Sequence, residues 1–344
     1  MPTQAPNLSR PPADALWFMP LGGCGEIGMN LNLFGHDGAW LMVDCGITFE
    51  QEASGQNRVE MADPGPAASA LIHLEGIIAT HAHEDHIGAL PYLYSRFPKT
   101  IYTTPFTGAV IEEKFRGHAL QPNIDRVNSY ACRQIGPFLV TWLPITHSTP
   151  ETHALLIETP AGNLLHTADW KIDPNPVIGP EFQMQQFSTA TLPPVTAMVI
   201  DSTNALKPGH SKSEQLVSEG LKRVIQKSTG RVIIGCFASN IARLQSIGSA
   251  ATKTQRHLAL AGRSLRRMTR IAKQTGYLKQ DFPEIPLSDL GYLPNANALV
   301  IATGSQGEPG AALSRLALDQ HPDFALSTED LVILSTKTIP GNEA

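Results

Sequence analysis

The sequence contains no run of about 18 apolar residues, the length a helix needs to cross a bilayer, so no transmembrane helix is predicted. Its first dozen residues include Pro2, Pro6, Pro11 and Pro12 and lack the charged-then-apolar layout of a secretory signal. A flexible tail over residues 1–14 is expected. Cysteine is scarce: Cys24, Cys45, Cys132 and Cys236 form no CxxC pair and no dense, even spacing. That excludes a disulfide-stapled scaffold and argues against a thiolate zinc site, leaving reduced thiols in a cytoplasmic protein as the expectation. There is no GxSxG elbow, internal repeat, coiled coil or low-complexity tract.

What the chain does have is length and apolar content: 344 residues at 42% hydrophobic suit two domains. The net charge of −5 argues weakly against nucleic acid, but its distribution reverses the inference. Between Ala205 and Lys279 lie fifteen of the 26 Lys and Arg, against only two acidic residues, Glu214 and Glu219. A basic island in an acidic chain favours an anionic partner over a merely solvated face.

Up to about Asp201 the pattern is short apolar runs joined by turns. Leu31 to Phe34 and Trp40 to Val43 flank His36-Asp37-Gly38, a hairpin signal, and Ala154 to Glu158 and Leu164-Leu165 flank Pro160 to Asn163. Ile87, Leu90, Leu93, Tyr94 and Phe97 predict a helix over 87–97. From Val195 onward the rhythm becomes strand, polar loop, helix. Ala197 to Ile200, Arg231 to Ile234, His257 to Leu260, Ala298 to Ile301 and Leu331 to Leu334 read as strands, with helices at Ser213 to Gln226 and Ser264 to Gln274. This predicts a parallel sheet with crossover helices.

The chemistry-bearing signal is Thr80-His81-Ala82-His83-Glu84-Asp85-His86, at the end of the apolar run Gly76 to Ala79. His81 and His83, two apart in extended chain, point the same way and share one metal. Asp85 and His86 lie past the bend and face a second. His147, after Leu139 to Ile145, supplies a third imidazole to the first ion, and Asp169, after Leu164 to Ala168, can bridge both. Asp44, at the end of Trp40 to Val43, suits a hydrogen-bond acceptor that fixes a ligand imidazole. Mixed imidazole and carboxylate donors suit two zinc ions, with manganese as the competitor. Two such ions lower the pKa of a shared water from about 15.7 toward about 7 and clamp the developing oxyanion.

These residues resemble the ribonuclease J family, β-CASP nucleases of the metallo-β-lactamase fold. The resemblance rests on Leu21-Gly-Gly-Cys-Gly-Glu-Ile-Gly-Met-Asn30, Val43-Asp-Cys-Gly46, Thr80 to Gly88, Thr146-His-Ser148, His166-Thr-Ala-Asp-Trp-Lys171, Asp201-Ser-Thr-Asn-Ala205, Phe237-Ala-Ser-Asn-Ile241, Thr303-Gly-Ser-Gln-Gly-Glu-Pro309 and Ile339-Pro-Gly-Asn-Glu343. It implies an α/β protein: a metallo-β-lactamase αββα sandwich over 15–203 and an inserted β-CASP parallel-sheet domain over 204–344. It implies His81, His83 and His147 as ligands of one ion, Asp85, His86 and Asp169 of the other, and catalytic roles for Asp85 and Asp201.

RNA is the implied substrate, cleaved from the 5′ end, internally or both. Its contacts are expected at Ser239, Asn240 and Arg243 and at Gly304, Ser305 and Gln306, where plain crossover turns are the alternative reading. Arg263, Arg266, Arg267, Arg270 and Lys273 fall on one helical face suited to a phosphate backbone.

Two departures stand out. Gly310 follows Pro309 where the family carries a larger or basic residue. The family's chain also runs on beyond Pro340-Gly-Asn-Glu343 into a segment with a further ligand histidine that His210, His257 and His321 do not match, so a truncated protein of impaired activity is expected. A homo-oligomer is expected of the longer form alone. The competing readings are a non-catalytic RNA-binding remnant and a small-molecule metallo-hydrolase; the basic island speaks against the latter.

Overall fold

The computed structural model describes residues 10–51, 57–279, 282–308 and 310–336. They separate into two compact units, one formed by residues up to 172 with 180–211, the other by 173–179 with the chain from 212 onward. Among the described residues no helix is long and apolar enough to cross a membrane.

The first unit stacks two sheets. Strands β1 (Trp17–Gly22), β2 (Leu31–His36) and β3 (Ala39–Val43) are followed by a separate hairpin, β4 (Ile47–Gln51) with β5 (Asn57–Met61). Strands β6 (Leu74–Ile78), β7 (Ile101–Thr103) and β8 (Ile124–Arg126) complete the first sheet in the order β1-β2-β3-β6-β7-β8. The second sheet comes from β9 (Cys132–Ile135), β10 (Phe138–Pro144), β11 (His153–Thr159), β12 (Gly162–His166) and β13 (Ala197–Val199), in the order β13-β12-β11-β10-β9. Asp37 and Gly38, both at positive φ, make the tight turn that the Asp-Gly signal predicts between β2 and β3.

Period-two alternation drives the sandwich. Phe34, Leu41, Val43 and Ile78 of the first sheet bury against Val140, Trp142, Leu155, Ile157 and Leu164 of the second. The far side of the second sheet is covered by Trp170, Phe182, Phe187, Leu192 and Val195.

One sequence expectation changes here. The helix predicted over 87–97 is instead three pieces, Glu84–Ile87, Leu90–Leu93 and a 3₁₀ turn at Tyr94–Arg96. Pro91 has no N–H to donate and fits only a first turn, so the helix restarts at Leu90. Ile87, Leu90, Leu93, Tyr94 and Phe97 are all buried nonetheless, because the apolar periodicity survives the break. The run beginning at Ala197 pairs in parallel with β12 and completes the second sheet of the sandwich.

The second unit is a wholly parallel five-stranded sheet of β14 (Val232–Gly235), β15 (His257–Ala261), β16 (Glu284–Ile285), β17 (Ala298–Ala302) and β18 (Leu331–Leu334), ordered β16-β15-β17-β14-β18. Strands β14 and β17 are buried along their whole length, as expected of a parallel sheet covered on both faces. The principal helices are Glu214–Lys227, Ile241–Lys253 and Arg263–Gln274. Ser213 caps the first by accepting the Leu216 N–H at 3.3 Å, and Asp173 accepts the Glu214 N–H at 2.9 Å.

One glycine decides how closely the 80–86 loop can pack. A Cβ on Gly46 would sit 1.6 Å from the Asp85 carbonyl oxygen. This approach lets Cys45 N–H donate to His86 O at 2.7 Å and Gly46 N–H donate to Asn30 O at 2.9 Å. Gly46→Ala is therefore expected to destabilise the protein by about 3 kcal/mol or more. Urea unfolding measures this, and a loss below about 1 kcal/mol would show that the loop yields freely.

Candidate metal centre

The site forms where strands end. β6 runs out at Ile78 and delivers His81, His83, Asp85 and His86; β10 leads to His147, and β12 to Asp169. His83 Nδ1 lies 3.0 Å from His81 Nε2 and 3.2 Å from His147 Nε2, so three imidazole nitrogens converge on one point. Asp169 Oδ2 stands 3.7 Å from His147 Nε2, while Asp169 Oδ1 is 3.3 Å from His86 Nε2. Asp85 Oδ2 is 3.4 Å from that same His86 nitrogen. Two groups result, His81, His83, His147 and Asp169, and Asp85, His86 and Asp169; within each, the potential ligand atoms lie within 4.8 Å of one another. Asp169 belongs to both, one oxygen to each.

Hydrogen bonds fix which nitrogen each ring presents. Asp44 Oδ2 is 2.7 Å from His86 Nδ1, so that nitrogen donates its proton and Nε2 is the one turned toward Asp85 and Asp169. Thr80 gives its N–H to Asp44 Oδ1 at 2.8 Å and its O–H to Oδ2 at 3.0 Å. The Thr80 hydroxyl, already donating, then accepts from His81 Nδ1 at 3.0 Å, leaving His81 Nε2 to face His83. Ser148 Oγ meets His83 Nε2 at 3.2 Å. These donors suit borderline divalent cations, and the cluster can bind metal ions.

Thr80, Ser148 and Asn30, whose side chain reaches His86 Nε2 at 3.3 Å, were not singled out from the sequence as parts of the site. Their only signal was adjacency to the histidine and glycine motifs. Asp201 is not in either ligand group; its Oδ1 accepts the N–H and O–H of Thr203 at 2.9 and 2.6 Å.

Electrostatics separate the rings. Burial, reinforced by the neighbouring histidines, holds His81 well below the usual imidazole range; burial also lowers His147 and pushes His83 down to about 4. For His86 burial acts in the same direction but is outweighed by Asp85, Asp169 and Asp44, and its pKa rises well above normal. Burial opposes the ionised forms of Asp85 and Asp169, yet His86 beside them pulls both below the usual carboxylate range.

Residues 29–181 match the family model of the metallo-β-lactamase superfamily, and residues 229–344 that of the ribonuclease J β-CASP domain. Proteins named ribonuclease J are similar along nearly the whole chain. The Sinorhizobium meliloti protein is 41% identical over 96% of this chain and 60% of its own, and the Thermus thermophilus protein 36% identical over the same shares. That of Corynebacterium glutamicum is 38% identical over 98% of this chain and 47% of its own. This chain is thus similar to ribonuclease J along nearly its whole length. It spans about 60% or less of the length of these relatives. A crystal structure of an Enterococcus faecalis protein of unknown function shares the fold, with a TM-score of 0.62 and 13% identity, covering 93% of this chain and 87% of that one.

Within this family frame the basic residues divide. Arg263, Arg266 and Arg267 are exposed and Arg270 half-buried on the helix Arg263–Gln274, whose other face buries Leu265, Met268 and Ile271. Arg243, predicted as an RNA contact, is instead 8% exposed. Its guanidinium meets Glu214 at 3.1–3.3 Å and donates to Ser335 O and Oγ at 2.8 and 2.6 Å. A buried charge needs such partners, which removes Arg243 from any surface track. Asn240 is likewise buried and caps its own helix, accepting the Arg243 N–H at 2.9 Å, so it too is corrected from ligand contact to helix cap.

Ser239 is half-buried, and Ser305 is buried. Gly304 turns at φ 102°, where a Cβ would meet Ala311 Cβ at 2.7 Å, and Gln306 Nε2 donates to Thr336 Oγ1 at 2.7 Å. Gly310 also lies at positive φ, 71°, a backbone conformation that disfavours a larger residue there.

The lowered histidines make stability depend on pH. His83, His153 and His166 are each pushed down to about 4, chiefly by burial. Between about 6.5 and 4 the unfolded chain binds protons that the folded one does not, so stability falls as pH falls through that window. Urea unfolding in the presence of a chelator is expected to show a loss on the order of 1 kcal/mol per histidine between pH 7 and 5. A flat profile would mean these rings are solvated.

Proposed function

We propose that this chain forms the catalytic part of a metal-dependent ribonuclease, hydrolysing RNA phosphodiesters from the 5′ end, internally or both. The observation that carries the reading is the convergence of His81 Nε2, His83 Nδ1 and His147 Nε2, joined through the two oxygens of Asp169 to His86 and Asp85. On this reading His81, His83 and His147 hold one ion, and Asp85, His86 and Asp169 the other. Zinc fits the imidazole-rich first group best, with manganese the alternative because of the carboxylates. When bound, such ions supply Lewis acidity that activates water and neutralises charge on a phosphodiester.

The chain's own residues do the rest. Asp44 and Thr80 orient His86 and His81, and Ser148 orients His83. Asp85 and Asp201 are the carboxylates assigned to the catalytic centre, with Thr203 fixing Asp201 through Oδ1. Arg263, Arg266, Arg267 and Arg270 form the phosphate track, with Ser239 and the turn Gly304–Ser305–Gln306 as further contacts. On this reading the metallo-β-lactamase domain runs over 15–203 and the β-CASP domain over 204–344, whereas the compact units divide after Ser211, with 173–179 in the second. A cytoplasmic location and self-association belong to the proposal for the whole protein.

Elemental analysis of the purified chain is expected to find about two divalent ions, with fewer in His83→Ala. Both His83→Ala and Asp169→Asn should slow cleavage of 5′-monophosphorylated RNA more than 100-fold while leaving the far-ultraviolet circular dichroism unchanged. Full activity in either variant would remove the metal centre from the reaction, and the same assay on a version extended to the relatives' length shows how much activity resides in these 344 residues.

Charge makes a second expectation. Replacing Arg263, Arg266 and Arg267 together by Ala should reduce the slope of log affinity for single-stranded RNA against log salt by about 2. Arg243→Ala should leave that slope intact and instead cost about 3–5 kcal/mol of stability by removing the guanidinium that Glu214 and Ser335 meet. An unchanged slope in the triple variant would place the RNA track elsewhere.

A further inference from the structure

The chain turns sharply just before Asp169, the residue common to both ligand groups. Ala168, the preceding residue, is buried and adopts φ 50°, a left-handed conformation that residues with a Cβ avoid. Something must over-determine that turn. The Ala168 N–H donates to His166 Nδ1 at 3.1 Å, and Thr167 Oγ1 donates to Ala168 O at 2.9 Å while accepting the Asp201 N–H at 3.1 Å. The two side chains before Ala168 thus hold both peptide groups that flank its Cα.

His166 is an odd choice for packing alone. It faces the inter-sheet core, in register with Leu155 and two residues from buried Leu164, and its ring meets Phe34 edge to face at 6.2 Å and 89°. Because Nδ1 accepts, the ring's proton sits on Nε2, which is buried without a partner among the described residues. An apolar side chain would fill this place with no stranded N–H. What an apolar residue cannot supply is the acceptor for Ala168.

We infer that His166 is a positioning residue that sets Asp169 in the metal centre by holding the left-handed turn at Ala168. The inference rests on the reading of Asp169 as the carboxylate common to both ion sites. His166 touches neither substrate nor ion; it acts through one backbone hydrogen bond and the direction of the residue beyond it.

Two polar replacements separate this role from bulk packing. In His166→Asn the amide oxygen falls near the position of Nδ1, whereas in His166→Gln it falls near that of Nε2 and leaves Ala168 without its acceptor. In the metal-free full chain, the Ala168 amide is expected to exchange with solvent about 10-fold faster in the Gln variant and near the wild-type rate in the Asn variant. Zinc affinity, measured by competition with a chromophoric chelator, should weaken about 10- to 100-fold with Gln and stay near wild type with Asn. Adding Ala168→Gly to the Gln variant should recover part of the lost affinity, because glycine holds this φ without help.

Equal exchange and equal zinc affinity in the Asn and Gln variants would overturn the inference. A wild-type chain that binds no zinc would instead defeat the reading of the metal centre, while the exchange rates would still decide whether His166 holds the turn.

Discussion

Three donors converge on the carboxylate of Asp44, at the ends of β3 and β6: the N–H and O–H of Thr80 and the Nδ1 proton of His86. Only 1% exposed, this group has no water to solvate it and is satisfied by those bonds. Through them it fixes the His86 tautomer directly and the His81 tautomer by way of the Thr80 hydroxyl. Asp44 itself sits at φ 64°, so the backbone holds a strained conformation to place it. This one acceptor thus selects which nitrogens of His86 and His81 face the cluster.

The arrangement that results gathers three carboxylates around one ring. Burial keeps three rings neutral, while His86 draws a proton toward the surplus of negative charge from Asp85, Asp169 and Asp44. A cation at the His86 nitrogen answers the same attraction, and the neutral rings offer a second position that no proton contests near neutrality. The two positions share Asp169, whose direction depends on the left-handed residue before it. Strain at Asp44 and Ala168 therefore brackets the site on two different strand ends.

In the second unit the same physics sorts the arginines. A helix whose apolar stripe is Leu265, Met268 and Ile271 must turn Arg263, Arg266 and Arg267 outward. On the helix Ile241–Lys253, burial of Ile241, Leu244 and Ile247 carries Arg243 inward with them, where Glu214 and Ser335 meet its charge. Composition alone counts all of these residues as one basic island, because it registers charge without direction.

Local pattern in the sequence determined the strands, the hairpin at Asp37-Gly38, the parallel second sheet and the clustering of the ligand candidates. Each follows from a period of two, a turn dipeptide or neighbours close along the chain. It also carried His147, Asp169 and Asp44, since each is the first ionisable residue or nearly so after an apolar strand. Tertiary structure alone decided what depends on approach and orientation: the break at Pro91, the pairing of Ala197–Val199 with β12, the inward Arg243, the capping Asn240, and the hydrogen bonds that choose a nitrogen on each ring. Those outcomes belong to contacts between residues distant in sequence or to the facing of a helix, and no periodicity encodes which side of an imidazole another strand will reach.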